Sequence, residues 1–344
     1  MLVVILNEKR SYMNKYEMNT KETKLETKPK YIYTYACHET ERELCLLELK
    51  CLFGQPPVHD SILLSQRRLE PGTSPFIHLR LDIAVDAGSL EELCEVVSTL
   101  QLEEGKTFKV LCLKEGDNEA DYDERRRIER RIGARIQGQA QMKEPDITLG
   151  VIRAGQRWLL GQCVYSDRSW LERRQKPQNY STGLPVFVAK ALVNLAVGHA
   201  AVHEADADRL KLLDPCCGMG NVMIEALSMG KHIRGYDINP LAVRGARVNL
   251  CHFGYEENLV KLGDMNMLEG TYDAAILDMP YNLCSVLPAD EQKQMLRSLR
   301  RLAARAVIVS TEPMEVLLSE SGWTLTEQCS IRKTGMVREI WVCE

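Results

Sequence analysis

The spacing of apolar and polar residues predicts strands and helices in turn near the start of the chain. "YIYTYAC" and "FIHLRLDIAV" have the two-residue period of half-buried strands. Between them, "ETERELCLLELKCLFG" has its apolar positions at helical spacing, and Ser89, three residues before a glutamate, is typical of the start of a second helix. We therefore expect an α/β module over residues 31–104.

A second α/β module is expected over residues 105–165. Its strands are "TFKVLCL", "DITLGVIRAG" and "RWLLGQCV", and its helix is the arginine-rich segment 122–138. Ile128, Ile132 and Ile136 repeat every four residues in this segment, so the arginines cover the other faces of the helix. A charge run of this kind is by itself typical of a solvated helix face.

The net charge and the composition of the chain argue against several classes of function. The net charge of −4 argues against a protein that coats nucleic acid indiscriminately, although residues 121–176 contain 13 Lys and Arg against 8 Asp and Glu. No apolar run approaches the roughly 20 residues that span a bilayer, and no secretory leader pattern precedes the first module. The scattered cysteines lack zinc-site spacing, so no metal is expected. We interpret the chain as cytoplasmic, with no membrane partner.

Two segments predict little regular structure. Residues 1–30 are polar and have no sustained apolar period, so we expect a disordered tail. Residues 166–184 have few apolar positions and many turn formers, so we expect a linker.

From residue 185 to residue 344, strands and helices alternate regularly, which is typical of a doubly wound parallel α/β sheet. A helix, "VFVAKALVNLAV", is followed by strands that end at "LLDP", "GYDINP", "KLGDM" and "ILDMP". The ending "WTLTEQCSIRKTGMVREIWVCE" predicts an antiparallel hairpin.

The turn after the first of these strands has the composition of a ligand-binding loop. In "LKLLDPCCGMGNVMIEAL", Gly218 and Gly220 let a ligand approach the backbone before a helix. Asp237 ends the next strand, where a carboxylate can accept both ribose hydroxyls of a nucleoside cofactor. A dinucleotide site would have a third glycine, and Asp214, just before the loop, suits a cation better than a phosphate. S-adenosylmethionine, which has a sulfonium, an ammonium and no phosphate, fits these residues.

Asp264, after the following strand, could accept a hydrogen bond from the adenine amino group. The complete set of residues predicted to bind the cofactor is Asp214, Cys216, Gly218, Gly220, Asp237, Ile238, Asp264 and Met265.

The strand end "ILDMPYN" contains the residues predicted to perform the chemistry. The exocyclic amine of a nucleobase is a poor nucleophile, because its lone pair is delocalised into the ring. The Asp278 carboxylate and a neighbouring backbone carbonyl would accept hydrogen bonds from the amine and localise that lone pair. The ring of Tyr281 can stack on the base, while Pro280 fixes the backbone and holds Met279 extended. A structural alternative is that Asp278 caps a turn and Tyr281 covers the sheet edge.

These motifs carry a resemblance to a known family. Residues 185–344 resemble class I S-adenosylmethionine-dependent methyltransferases of the amino-methylating group, whose motif is Asp/Asn-Pro-Pro-Tyr/Phe. Residues 31–165, with the basic helix and "KEPDITLGVI", resemble the ferredoxin-like plus THUMP modules of tRNA guanine-N2 methyltransferases, in particular the group that modifies guanosine 10. "RRQKPQNYSTGLP" is similar to the segment that precedes the catalytic domain in that group. Met279 replaces the first proline of the motif, which we expect to loosen the loop without abolishing activity.

The resemblance implies a seven-stranded, Rossmann-like α/β methyltransferase domain behind ferredoxin-like and THUMP modules. It implies S-adenosylmethionine as cofactor and tRNA as partner, with a guanosine turned out of its stack and methylated on N2. THUMP would hold the acceptor end of tRNA, and basic residues would contact its phosphates: Arg126, Arg127, Arg130, Arg131, Arg173 and Arg174. Whether a small activating subunit is needed, and whether one or two methyl groups are added, stays open.

Two alternatives remain. An adenine-N6 or protein-glutamine methyltransferase would use the same loop, because the loop serves any planar amine, but the N-terminal resemblance disfavours both. The second alternative is a catalytically inactive tRNA-binding protein, and Met279 is the sole residue that supports this hypothesis. Asp214, Asp237 and Asp278 together argue against it, since an unused pocket needs no three acids at one edge.

Overall fold

The computed structural model describes residues 29–57, 59–114, 121–180, 183–201, 209–280, 287–333 and 336–344. The strands described are β1 Tyr31–Tyr35, β2 Ile62–Ser65, β3 Ile77–Ala87, β4 Thr107–Cys112, β5 Gln139–Ala140, β6 Ile147–Ala154, β7 Arg157–Tyr165, β8 Lys211–Asp214, β9 His232–Asp237, β10 Val260–Leu262, β11 Tyr272–Asp278, β12 Ala303–Ser310, β13 Leu325–Lys333 and β14 Met336–Cys343. The α-helices described are α1 Arg42–Phe53, α2 Leu90–Val97, α3 Tyr122–Gly133, α4 Val186–Ala201, α5 Asn221–Ser228, α6 Pro240–His252, α7 Ala289–Leu302 and α8 Glu315–Glu320.

The chain forms two compact units that differ from the modules expected from the sequence. The first consists of the described residues within Met1–Ala36, Pro57–Pro71 and Ile77–Ser166. The second consists of Cys37–Pro56, Gly72–Phe76 and the described residues within Asp167–Glu344. The tail expected at residues 1–30 lies outside the described residues, apart from residues 29 and 30.

The first unit is built on one seven-stranded mixed sheet, in the order β2-β1-β3-β7-β6-β4-β5. β7 pairs antiparallel with both β3 and β6, so strands from residues 31–104 and from residues 105–165 belong to the same sheet. On α3, Ile128 and Ile132 are buried, as their spacing indicates, but the helix ends at Gly133 rather than at residue 138. The Ser89 side chain caps α2 by accepting from the Glu92 N–H at 3.0 Å, as the sequence indicates.

The second unit contains a seven-stranded sheet in the order β10-β9-β8-β11-β12-β14-β13. The first five strands are parallel, and β14 pairs antiparallel with both of its neighbours. The expectation of a Rossmann-like, mostly parallel sheet with a terminal hairpin is therefore confirmed. The strand order changes direction at β8, and in open α/β sheets ligands bind beside the carboxyl ends of strands at such a point.

Helix α1 belongs to the second unit, although β1, directly before it, belongs to the first. α1 contacts α4 and β13, and its buried Glu48 carboxylate accepts from the Ser74 hydroxyl at 2.6 Å and from the Asn194 amide at 2.5 Å. Burial raises the pKa of Glu48 to about 7. The sequence pattern predicts the helix correctly, but it contains no information on which sheet the apolar face covers.

The segment expected to be a linker is fixed to the second unit by buried polar contacts. Trp170 is buried, and the Arg173 guanidinium binds the buried Glu225 carboxylate through two hydrogen bonds of 2.6 and 2.9 Å. The buried Asn249 side chain accepts from the Gln178 N–H at 2.8 Å and donates to the carbonyls of Gln178 and Met219 at 2.8 and 3.0 Å. These contacts hold the segment against the loop that follows β8.

Candidate active site

Four acidic side chains follow the carboxyl ends of neighbouring strands in the second unit. Asp214, Asp237 and Asp278 end β8, β9 and β11, and Asp264 comes shortly after β10. Because these strands are parallel, their ends meet at one edge of the sheet. Asp214, Asp237 and Asp278 line a single cavity of about 220 Å³ at that edge. Its other described lining residues are Tyr180, Gly183, Leu184, Cys216, Cys217, Gly218, Met219, Asn221, Val222, Asn239, Ala242, Met279 and Pro280.

The loop after β8 is shaped by two glycines in the left-handed region. Gly218 has φ of 50° and Gly220 has φ of 79°, a conformation that side chains disfavour. The Gly218 N–H donates to one oxygen of Asp237 at 2.8 Å, and the Asn239 N–H donates to the other at 2.8 Å. The Asp237 carboxylate is therefore held in one orientation by backbone groups, with lone pairs left for a ligand.

Gly218 and Gly220 differ in what surrounds them. A Cβ atom at Gly218 would have no atom within 4 Å, so this residue faces open space and lines the cavity. A Cβ atom at Gly220 would lie 3.1 Å from a methyl group of Leu250, so this residue permits close packing on α6 and is not part of the cavity wall.

Asp278 combines a buried oxygen with an incomplete set of hydrogen bonds. Its Oδ1 atom is buried and has no hydrogen-bond partner among the described residues. Asp214 is almost completely buried beside it, with 3% of its surface exposed. A buried acceptor without a partner is costly, so a ligand that donates to Asp278 is expected to bind here.

Part of this chain is similar in sequence to a known protein family. The family described as "UPF0020: RMKL-like, methyltransferase domain" matches residues 173–342. Residues 173–342, just under half of the chain, therefore resemble a methyltransferase domain of this family.

Two curated relatives have the same name, tRNA (guanine(10)-N2)-dimethyltransferase. This chain is 29% identical to the protein of Pyrococcus abyssi over 186 residues, which cover 51% of this chain and 54% of that protein. The protein of Methanothermobacter thermautotrophicus is 28% identical over 239 residues, with 64% of this chain and 68% of that protein covered. The chain thus spans little more than half of the length of the first relative.

The crystal structure of TrmN from Thermus thermophilus is similar over 91% of this chain and 99% of its own length, with 17% identity and a TM-score of 0.47. In the part of the chain that the structure describes, no helix is long and apolar enough to cross a membrane. Among the same residues, no group of three or more His, Cys, Asp or Glu side chains is arranged to hold a metal ion.

Two carboxyl groups that line the cavity, those of Asp214 and Asp278, have raised pKa values. Burial raises the pKa of Asp278 to about 7, and the positive charge of Arg338 opposes this rise. Burial, followed by the charges of Asp278 and Asp237, raises the pKa of Asp214 well above its usual range. A cationic ligand would remove part of this cost, because it favours the ionised form of each carboxyl.

A hydrogen bond fixes the backbone of Met279, the residue that departs from the family motif. Its N–H donates to the Val309 carbonyl at 2.9 Å, which continues the pairing of β11 with β12 by one residue. Its side chain is 5% exposed and packs in the core of the domain. The expectation that Met279 loosens the loop is therefore wrong, because a proline would lack the donor that forms this bond. Pro280 lines the cavity, and Tyr281 lies outside the described residues.

The remaining residues predicted to bind the cofactor are Cys216, Ile238, Asp264 and Met265, and they differ in whether they line the cavity. Cys216 lines the cavity, and its sulfur lies 3.9 Å from that of the buried Met265. Ile238, beside Asp237, is 71% exposed. Asp264 accepts from the Asn266 N–H at 2.9 Å and caps a short 3₁₀ turn. Of these four residues, the cavity wall includes Cys216 alone.

Sequence reasoning missed several residues that line the cavity. Asn239 could have been found, because "DINP" places it between the acid and the proline that begins α6, and its side chain caps that helix by accepting from the Leu241 N–H at 2.9 Å. Tyr180 and Leu184 lie in the segment expected to be a linker, whose similarity to the family indicated no role for either residue in a cavity.

The arginines predicted to bind RNA divide into two groups. On α3, four are exposed, and two of these form ion pairs: Arg126 with Glu129 at 2.8 Å and Arg131 with Glu91 at 2.9 Å. In the second unit, Arg173 forms an ion pair with the Glu225 carboxylate. Arg174 is exposed, and its guanidinium carbon lies 5.7 Å from the centroid of the Trp170 ring.

Asp278→Asn is expected to stabilise the fold at alkaline pH. The pKa of Asp278 is about 7 in the folded chain and about 3.9 in an unfolded one, so ionisation removes stability as the pH rises toward 7. Asparagine has a similar shape and does not ionise. The melting temperature of Asp278→Asn should exceed that of the wild type by a few degrees at pH 8, and the difference should shrink toward pH 5. Asp273→Asn, at the exposed start of β11, is the control; a lower melting temperature of Asp278→Asn at every pH would contradict the expectation.

Met279→Pro is expected to lower the free energy of unfolding by about 1–2 kcal/mol, because it removes the N–H that the Val309 carbonyl accepts. Met279→Leu keeps the N–H and a similar volume, so it should remain near the wild type. Urea denaturation followed by circular dichroism measures both variants. Equal stability of the two would show that the bond is unimportant.

Proposed function

We propose that this chain is an S-adenosylmethionine-dependent methyltransferase that methylates the N2 amine of a guanosine in tRNA, at position 10. The observation that carries the proposal is the buried Asp278 oxygen without a partner among the described residues, on the wall of a cavity with Asp214 and Asp237. The match of residues 173–342 to a methyltransferase family supports the reaction class. The names of the two curated relatives support the substrate, and they make two methyl groups the expected product.

The cavity residues fit S-adenosylmethionine by their chemistry. Three carboxylates suit a ligand that carries a sulfonium and an ammonium, and among the described lining residues no lysine or arginine opposes them. The Asp237 carboxylate, oriented by two backbone N–H groups, would accept the ribose hydroxyls. The exposed Ile238 side chain beside it would cover a flat purine. When bound, S-adenosylmethionine supplies an electrophilic methyl group.

Asp278 would act on the amine that receives the methyl group. As a carboxylate, it accepts a hydrogen bond from the N2–H group and localises the nitrogen lone pair. Transfer of the methyl group from the sulfur of the donor to the nitrogen would break the sulfur–methyl bond and leave a surplus proton on the nitrogen, and Oδ1 of Asp278 would accept that proton. A pKa of about 7 allows the carboxyl to be ionised before this step and protonated after it near neutral pH.

The first unit is proposed to bind the same tRNA. Its single mixed sheet with two flanking helices would correspond to the ferredoxin-like and THUMP modules expected from the sequence. The four exposed arginines of α3 would contact phosphates and position the RNA without reading its sequence. We also propose a cytoplasmic location, because the proposed substrate, tRNA, is present there.

A transfer assay with tagged methyl groups tests the proposal. Purified protein, labelled S-adenosylmethionine and tRNA lacking modifications should yield N2-methylated guanosine, identified by mass spectrometry of the digested RNA. Asp278→Asn should lower the rate by at least roughly 100-fold, because the amine loses its anionic acceptor. Asp273→Asn, on the same strand and with its hydrogen bond to the Lys211 N–H preserved by the amide oxygen, should remain near the wild type.

Duplex DNA and a glutamine-containing peptide serve as competing substrates in that assay. Label on adenine N6 or on glutamine, with none on guanosine N2, would overturn the proposed substrate. Full activity of Asp278→Asn would overturn the proposed role of the carboxylate.

A further inference from the structure

A second cavity, of about 590 Å³, adjoins the first within the second unit. Tyr180, Gly183, Leu184 and Asn221 line both cavities, so the two share a wall. The remaining lining residues come from the start of the second unit, from the segment before α4, from α4 itself and from the terminal hairpin. None of the roles assigned above to the cofactor uses this second cavity.

The two cavities have opposite charge. The first is lined by three carboxylates, whereas the second is lined by Arg174, Lys176, Arg332 and Arg338, together with His38. Among the described residues of the second cavity, Glu41 is the one carboxylate. A wall with four permanent or nearly permanent cations favours an anionic ligand, and arginine in particular matches the geometry of phosphate.

The second cavity also has a flat apolar surface. Tyr180 is 61% exposed on the shared wall, and Leu184, Pro185, Phe187 and Ile331 continue the apolar lining. An exposed aromatic ring beside apolar side chains is a platform on which a nucleobase can stack. A site that binds a single-stranded nucleotide combines cations that contact the phosphate with an aromatic surface on which the base stacks.

Arg338 connects this surface to the catalytic carboxylate. It lies on β14, is 4% exposed and lines the second cavity. Its charge acts on the Asp278 carboxyl, whose pKa it lowers, so the second cavity reaches the neighbourhood of the residue that would accept the amine. The charge of Asp278 in turn acts on the Asp214 carboxyl and on the Cys216 thiol, whose pKa values it raises.

We propose that the second cavity binds the target nucleotide of the RNA, with its base against Tyr180 and its phosphate at Arg174, Lys176 and Arg332. The ligand class is a nucleoside monophosphate unit, and the guanine base within it rests on the proposed function. The base enters beside the methyl donor across the shared wall and presents its amine to Asp278. The phosphate stays in the basic part of the second cavity.

Lys176 gives the site a pH dependence. Burial lowers the pKa of Lys176 to about 8, and its amino group contacts the Asn221 side chain on the shared wall. A bound phosphate favours the charged amine, so phosphate binding should weaken as the pH rises through about 8.

Binding of small probes tests the inference without RNA. Guanosine 5′-monophosphate, guanosine and inorganic phosphate are titrated into the full chain, and affinity is measured by nuclear magnetic resonance or calorimetry. We expect the monophosphate to bind about tenfold more tightly than guanosine, because the phosphate forms charge-assisted hydrogen bonds. Arg332→Met, an exposed position, should remove that advantage, and Arg297→Met, an exposed arginine on α7 outside both cavities, should retain it.

The affinity for S-adenosylmethionine is measured in parallel and should be equal in the wild type and in both variants. Equal binding of guanosine and its monophosphate, or equal loss in Arg332→Met and Arg297→Met, would overturn the inference.

The failure of this inference can be told from the failure of the proposed function. A chain that binds the monophosphate through Arg332 but methylates no tRNA keeps the second cavity and overturns the proposed function. A chain that methylates guanosine N2 in tRNA, with a KM for tRNA that Arg332→Met leaves unchanged, keeps the proposed function and overturns the assignment of the cavity.

Discussion

The arrangement of the second unit depends on three carboxyl groups that are brought together at one edge of a parallel sheet. Asp214, Asp237 and Asp278 line one small cavity, and burial makes the ionised forms of Asp214 and Asp278 unfavourable. Such a cluster costs stability unless a positively charged ligand or a hydrogen-bond donor compensates it. The proposed methyl donor, with two cationic centres, would supply the first, and the amine of the proposed nucleobase substrate would supply the second. The cost in the free protein and the activity of the complex thus have the same physical origin.

The backbone around this cluster is fixed by bonds that leave the carboxylates available. Asp237 is oriented by two N–H groups, and the Met279 N–H extends the ladder between β11 and β12 up to the residue after Asp278. Asn249 ties the segment before α4 to the loop that follows β8. Because this segment also lines the second, basic cavity, the same contacts set the separation between the proposed cofactor site and the proposed phosphate site. A substrate that is neutral at its base and charged at its phosphate fits that separation.

The sequence predicts the parts of this arrangement that are encoded locally. The strand ends, the glycine loop and the Ser89 cap each depend on a few consecutive residues, and the structure has them where the pattern indicates. The assignment of α1 to the second unit, the docking of Arg173 on Glu225 and the second cavity depend on contacts between distant segments, so periodicity could not indicate them. The prediction for Met279 failed for a different reason. The absence of the usual proline predicted a loose loop, but a hydrogen bond from the Met279 N–H holds the backbone. The resemblance to methyltransferases added the reaction class, which spacing alone left open.

A structure of the chain with tRNA and S-adenosylhomocysteine tests the central claim most directly. We expect the adenosine ribose on Asp237 and the N2 amine of one unstacked guanosine within hydrogen-bond distance of the Asp278 carboxylate. A complex in which that carboxylate contacts no amine, or in which a ring nitrogen takes the place of N2, would contradict it.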